Sequence, residues 1–83
     1  MAHETQKVEI FGEKYAVRGE ASPEHIQAVA REVDKRMHLI AQRFPRLPYH
    51  QVAVLAALNL ADDLARLREE QETLMQLLGE KTE

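Results

Sequence analysis

The chain has 83 residues, no cysteine and a net charge of −3. That length allows one small domain with a thin core, excludes disulfides and thiolate metal sites for want of cysteine, and leaves oligomerisation as the usual source of extra stability. Residues 1–48 carry eight Lys/Arg against seven Asp/Glu, and residues 49–83 carry three against seven. An acidic second half with two Tyr, two Phe and no Trp suits neither a phosphate backbone nor base stacking, so nucleic acid is not an expected partner.

Met1 to Gln6 is polar and lacks the apolar core of a signal peptide. The residues KVEIFGEKYAVRG at 7–19 predict a β-hairpin. Val8 and Ile10 alternate with Lys7 and Glu9, and Tyr15 and Val17 alternate with Lys14, Ala16 and Arg18, which is strand periodicity. Gly12-Glu13 is placed at the turn, since Gly accepts the positive φ that tight hairpins need. A lone hairpin is marginal in water, so one face must be covered.

Ser22-Pro23-Glu24 predicts a helix start: Ser22 as cap, Pro23 at the first helical position and Glu24 at the positive end of the dipole. Ile26, Val29, Ala30, Val33, Met37, Ile40, Ala41 and Phe44 follow at steps of three and four and form one apolar stripe. Pro45 and Pro48 end the helix and push Phe44 and Leu47 towards extended geometry. Arg31, Lys35, Arg36, Arg43 and Arg46 give this helix and its loop a positive tendency. It reads either as a solvated face with pairs such as Glu32–Arg36 or as a docking surface for an acidic partner.

Residues 49–78 contain neither Pro nor Gly, and Gly79 is the expected stop. At ~1.5 Å per residue this helix is about 45 Å long, whereas a compact domain of this size is roughly 30 Å across. The helix must protrude or lie against something outside its own domain. The chain thus divides into a head, residues 1–48, and a long helix, residues 49–83, with a buried pairing part and a coiled-coil tail. Residues 52–61 are apolar on nearly every side except at Asn59, which is read as an amide satisfied within the core or as functional. The longest apolar run, Val52 to Leu58, is seven residues, against about 20 for a membrane span; no membrane association is expected. Beyond it a seam appears. Ala53, Ala57, Leu60, Leu64, Leu67, Gln71, Leu74 and Leu78 are spaced 4, 3, 4, 3, 4, 3, 4, the a/d repeat of a coiled coil. Ala57, Leu60, Leu64, Leu67, Gln71, Leu74 and Leu78 are the predicted self-association residues. Gln71, at an a position, is either a tolerated polar residue near a fraying end or a selector of register and partner number.

No catalytic constellation is present. His3, His25, His38 and His50 lack the i, i+4 spacing of a helical metal site. Gly12, Gly19 and Gly79 form no phosphate loop, and Ser22 is explained as a cap. No cofactor, metal or enzymatic activity is expected.

Three segments together resemble the ZapA family of small bacterial cell-division proteins: VEIFGEKYAVRG at 8–19, SPEHIQAVAREVDKRMHLIA at 22–41 with its VDKRM core at 33–37, and VAVLAALNLADDLARL at 52–67. AALNLADDL at 56–64 is the most specific run. The resemblance implies an α+β fold in which an N-terminal β-hairpin and an α-helix precede a long C-terminal helix that forms a coiled coil in an oligomer. It implies a non-enzymatic protein that pairs as a homodimer, with dimers able to join into a homotetramer. It also implies a cytoplasmic protein at the midcell division ring that binds FtsZ and promotes cross-linking or bundling of its filaments. Partner binding in the family is attributed to the charged head surface, which points to Arg36 within VDKRM, followed by Arg43 and Arg46. The PRLP stretch at 45–48 departs from the polar loop common in the family, and the seam ends near residue 78, shorter than in longer members. A homo-oligomeric coiled-coil adaptor for another protein partner is the alternative.

Overall fold

The computed structural model describes residues 5–81; His3 and most of the polar N-terminal stretch lie outside them. The order of elements is β1 (Thr5–Ile10), β2 (Glu13–Arg18), α1 (Pro23–Arg43) and α2 (Tyr49–Lys81). This is the predicted hairpin followed by two helices.

The strands pair antiparallel, with Val8 opposite Tyr15 and Ile10 opposite Glu13. That register corrects the turn. Its two central residues are Phe11 and Gly12, with φ of 51° and 80°, and Glu13 already belongs to β2. Positive φ at both centres is what a type I′ turn requires, because its twist matches that of the strands. Gly12 adopts it freely, whereas for a residue with a Cβ it costs roughly 1–2 kcal/mol.

One face of the hairpin packs on α1, where Val8, Ile26 and Ala30 form a buried cluster joined by Ile10 and Val17. Ser22 caps α1, its Oγ accepting from the His25 N–H at 3.2 Å, and Pro23 opens the helix. A second cluster joins the helices: Met37 and Ile40 of α1 against Val52 and Ala56 of α2, with Val33 and Leu47 packed around them. Full burial of a side chain such as Met37 or Val52 stabilises the fold by about 1.5–3 kcal/mol. The predicted α1 stripe is too wide at two places. Val29 and Phe44 are exposed: Val29 lies about 60° round the helix from Ile26 at ~100° per residue, at the edge of the stripe, and Phe44 is the C-cap, already outside the helical backbone.

α2 runs through Gly79 to Lys81, so Gly79 is not its stop. A glycine inside a helix costs only about 1 kcal/mol relative to alanine, too little by itself to end a helix of this length. The 33 residues of α2 extend for about 50 Å. The radius of gyration is 17.2 Å, against about 12 Å for a compact chain of this length. Solvent-accessible surface is 7024 Å², against roughly 5000 Å² for a compact monomer of this mass. No helix among the described residues is long and apolar enough to cross a membrane.

Candidate functional site

Two surfaces carry the residues singled out from the sequence. The first is the face of α2 that leaves the head. Ala57 is exposed and Leu60 is half-buried. Leu64, Leu67, Leu74 and Leu78 keep 47, 60, 57 and 56 % of their surface, and Gln71 is exposed among them. Heptad spacing on one straight helix aligns these side chains in a single stripe. Among the described residues of the protomer, nothing buries the stripe beyond Leu60. Val54 and Leu58 are exposed as well, at 55 and 62 %, and Asn59 is exposed rather than buried in a core. The apolar half of α2 therefore buries only its Val52–Ala56 side within the protomer.

Outside the stripe the charges pair along the helix. Arg66 bonds to Asp62 and lies 3.6 Å from Asp63. The Asp62 hydrogen bond, above all, pushes the Arg66 guanidinium above its ordinary range.

The second surface is an open groove of about 550 Å³ between α1 and α2, lined among others by Lys35, Arg36, Leu39, Arg43, Phe44 and Asn59. Leu39 and Phe44 are 52 and 49 % exposed. The groove thus combines the apolar Leu39, Ile40 and Phe44 with three basic side chains, Lys35, Arg36 and Arg43, and one acidic side chain, Glu32. The three basic candidates differ in what holds them. The Arg36 Nε donates to Glu32 at 3.3 Å, and its terminal nitrogen donates to Asp63 of α2. Those bonds, with Asp63 first, raise its pKa against a smaller opposing desolvation. Arg43 lies over the Phe44 ring, 5.9 Å from its centroid. Arg46 lies in the loop beside Phe44 and Leu47.

Three features of the head were not legible in the sequence. Asp34 accepts the Phe11 N–H at 2.7 Å. The Phe11 ring meets His38 edge-on at 5.0 Å and Tyr49 at 5.7 Å. The Tyr15 and Tyr49 hydroxyls are hydrogen-bonded to each other. Even the nearest of these partners, Phe11 and Asp34, are 23 positions apart, and no local periodicity signals such pairs. The histidines His25, His38 and His50 are exposed. Among the described residues no group of His, Asp and Glu is arranged to hold a metal ion.

The model of the family "Cell division protein ZapA" matches residues 7–83. Among named relatives, the cell division protein ZapA of Geobacillus thermodenitrificans (strain NG80-2) is 42 % identical over 67 residues, covering 81 % of this chain and 74 % of that protein. The cell division protein ZapA of Bacillus mycoides (strain KBAB4) is 39 % identical over 74 residues, covering 89 % of this chain and 83 % of that protein. Among solved structures, a ZapA mutant dimer from Geobacillus stearothermophilus matches with a TM-score of 0.74 at 35 % identity, covering 94 % of this chain and 91 % of that one.

Proposed function

The chain belongs to the ZapA family of cell division proteins, and from that premise we propose that it is a non-enzymatic division factor that self-associates through α2 and binds FtsZ through its head. The observation that carries this reading is the uncovered leucine stripe on a helix that outruns its own domain. The surface in excess of a compact monomer is roughly 2000 Å², more than the ~800 Å² each partner contributes to a standard interface. A second copy supplies an identical stripe, and the similar solved chain is described as a dimer. Ala57, Leu60, Leu64, Leu67, Gln71, Leu74 and Leu78 form the self-association face, and residues 64–78 are where two dimers join as a tetramer.

Residues 1–48 act as the head and residues 49–83 as the stalk. Arg36 and Arg43 in the groove beside the apolar Leu39 and Phe44, with Arg46 in the adjoining loop, suit an acidic surface on the partner. FtsZ is the partner that the family resemblance implies. An oligomer carrying several heads engages two filaments at once, which raises apparent affinity without any new contact. Filament cross-linking at the midcell division ring, in the cytoplasm, is the resulting role.

Co-sedimentation with assembling FtsZ tests the reading. The expected result is saturable pelleting of the protein with filaments and a rise in filament bundles. Filament pelleting that stays unchanged across the whole concentration range overturns it.

A further inference from the structure

Arg36 and Asp63 form, among the described residues, the one ion pair between α1 and α2. Its place relative to the apolar contact gives it leverage. The helices touch where Met37 and Ile40 meet Val52 and Ala56, close to the loop that joins them. Asp63 lies seven residues beyond Ala56, about 10 Å further along α2 at ~1.5 Å per residue. Of the residues between, only Leu60 is half-buried; the others, residues 57–59, 61 and 62, are exposed. A contact centred on one small cluster near one end resists separation of the helices better than it resists rotation. A tie two turns further out resists rotation.

Both ends of the tie are themselves held. Glu32, one turn before Arg36, accepts from its Nε at 3.3 Å, and Arg66, nearly one turn after Asp63, approaches the second carboxylate oxygen at 3.6 Å. Side-chain exposure is 27 % at Arg36 and 37 % at Asp63. Charges alternate along Glu32, Arg36, Asp63, Arg66 and Asp62, so each side chain is oriented by its neighbours. A guanidinium with its fork fixed in this way is a directional connector.

We infer that the Arg36–Asp63 pair is a strut that sets the angle of the head on the stalk, and that Asp63 is a positioning residue for filament cross-linking. The angle itself depends on nothing beyond the fold. The consequence for cross-linking rests on the proposed function, because two heads grip two filaments together only if their orientations suit both.

The experiment uses the full chain, which has no native cysteine, with nitroxide labels at Lys14→Cys on the hairpin and Glu69→Cys on α2. Labelled protein is diluted into an excess of unlabelled protein, so that distances within one protomer are read. Asp63→Asn is expected to broaden the distance distribution, and the exchanged pair Arg36→Asp with Asp63→Arg to narrow it again. With FtsZ, Asp63→Asn is expected to keep high-speed co-sedimentation within about twofold of the parent while bundling, read by low-speed pelleting, falls roughly tenfold or more. A distribution of parental width in Asp63→Asn overturns the strut, as does an exchanged pair that stays broad. Unchanged bundling, or tighter filament binding by Asp63→Asn, overturns the positioning role; the latter would mean that Asp63 only masks Arg36. A parent that does not pellet with FtsZ defeats the proposed function and leaves the label distances to decide the strut.

Discussion

The backbone N–H of Phe11 donates to the carboxylate of Asp34 at 2.7 Å, which pins the tip of the hairpin to the middle of α1. Phe11 sits at φ 51°, a conformation costing a non-glycine residue about 1–2 kcal/mol. The bond to Asp34 and the packing of the Phe11 ring against His38 and Tyr49 offset that cost. Asp34→Ala leaves the half-buried amide without its acceptor. The expected loss is about 1–3 kcal/mol of stability, read by denaturant unfolding at fixed protein concentration, together with faster hydrogen exchange at the Phe11 amide. Parental stability with unchanged exchange would show that the ring packing alone holds the turn.

The hydroxyl bond between Tyr15 and Tyr49 ties β2 to the start of α2. That hydrogen bond, ahead of burial and the nearby Tyr15 and Glu13 charges, pushes Tyr49 from 10.0 up to about 12. The folded value is raised, so the stabilisation is fully present below the unfolded value near 10 and is lost as pH rises towards 12. A tyrosinate absorbance titration is expected to show a late-ionising group in the parent. In Tyr15→Phe that midpoint moves down towards the ordinary value. A late midpoint that persists in Tyr15→Phe would assign the shift to burial.

Leu67 lies in the middle of the uncovered stripe and is 60 % exposed in the protomer. Leu67→Asp puts a carboxylate from each copy into an apolar seam, where unpaired charge is costly. Sedimentation equilibrium across dilution is expected to show association weakened by about 3 kcal/mol, roughly a hundredfold in the constant, with the helix content of the head retained. Parental mass at every dilution would remove α2 as the association face.

Arg43 and Arg46 are better probes of partner binding than Arg36, because Arg36 also holds Asp63. The double change Arg43→Glu and Arg46→Glu is expected to weaken co-sedimentation with FtsZ by roughly tenfold or more, and more so at low salt. Oligomer mass should not change, since neither residue lies on the stripe. Unaltered binding would move the partner surface away from Arg43 and the loop that carries Arg46.

Local rules reached most of the fold. The alternation of Val8, Ile10, Tyr15 and Val17 and the Ser22-Pro23 start needed only side-chain periodicity and cap chemistry, and both elements form where those rules put them. The turn was displaced by one residue because Gly12 and Phe11 both take positive φ, and nothing in the local pattern marks a phenylalanine for that conformation. Val29 and Phe44 belong to the helical stripe by spacing, yet are exposed, because Val29 stands at its edge and Phe44 is the C-cap, outside the helical backbone.

By itself, then, the sequence determined the hairpin, the two helices, the heptad stripe on α2 and the family to which they belong, because each is written in residue types at short, regular separations. Tertiary structure decided what those elements do to one another. It brought Asp34 under the turn, joined Tyr15 to Tyr49, and gave Arg36, beyond its pairing with Glu32 on the same helix, a second partner in Asp63, 27 residues away. Contacts at such separations depend on how the two helices meet, with Met37 and Ile40 packed on Val52 and Ala56, which no local pattern encodes.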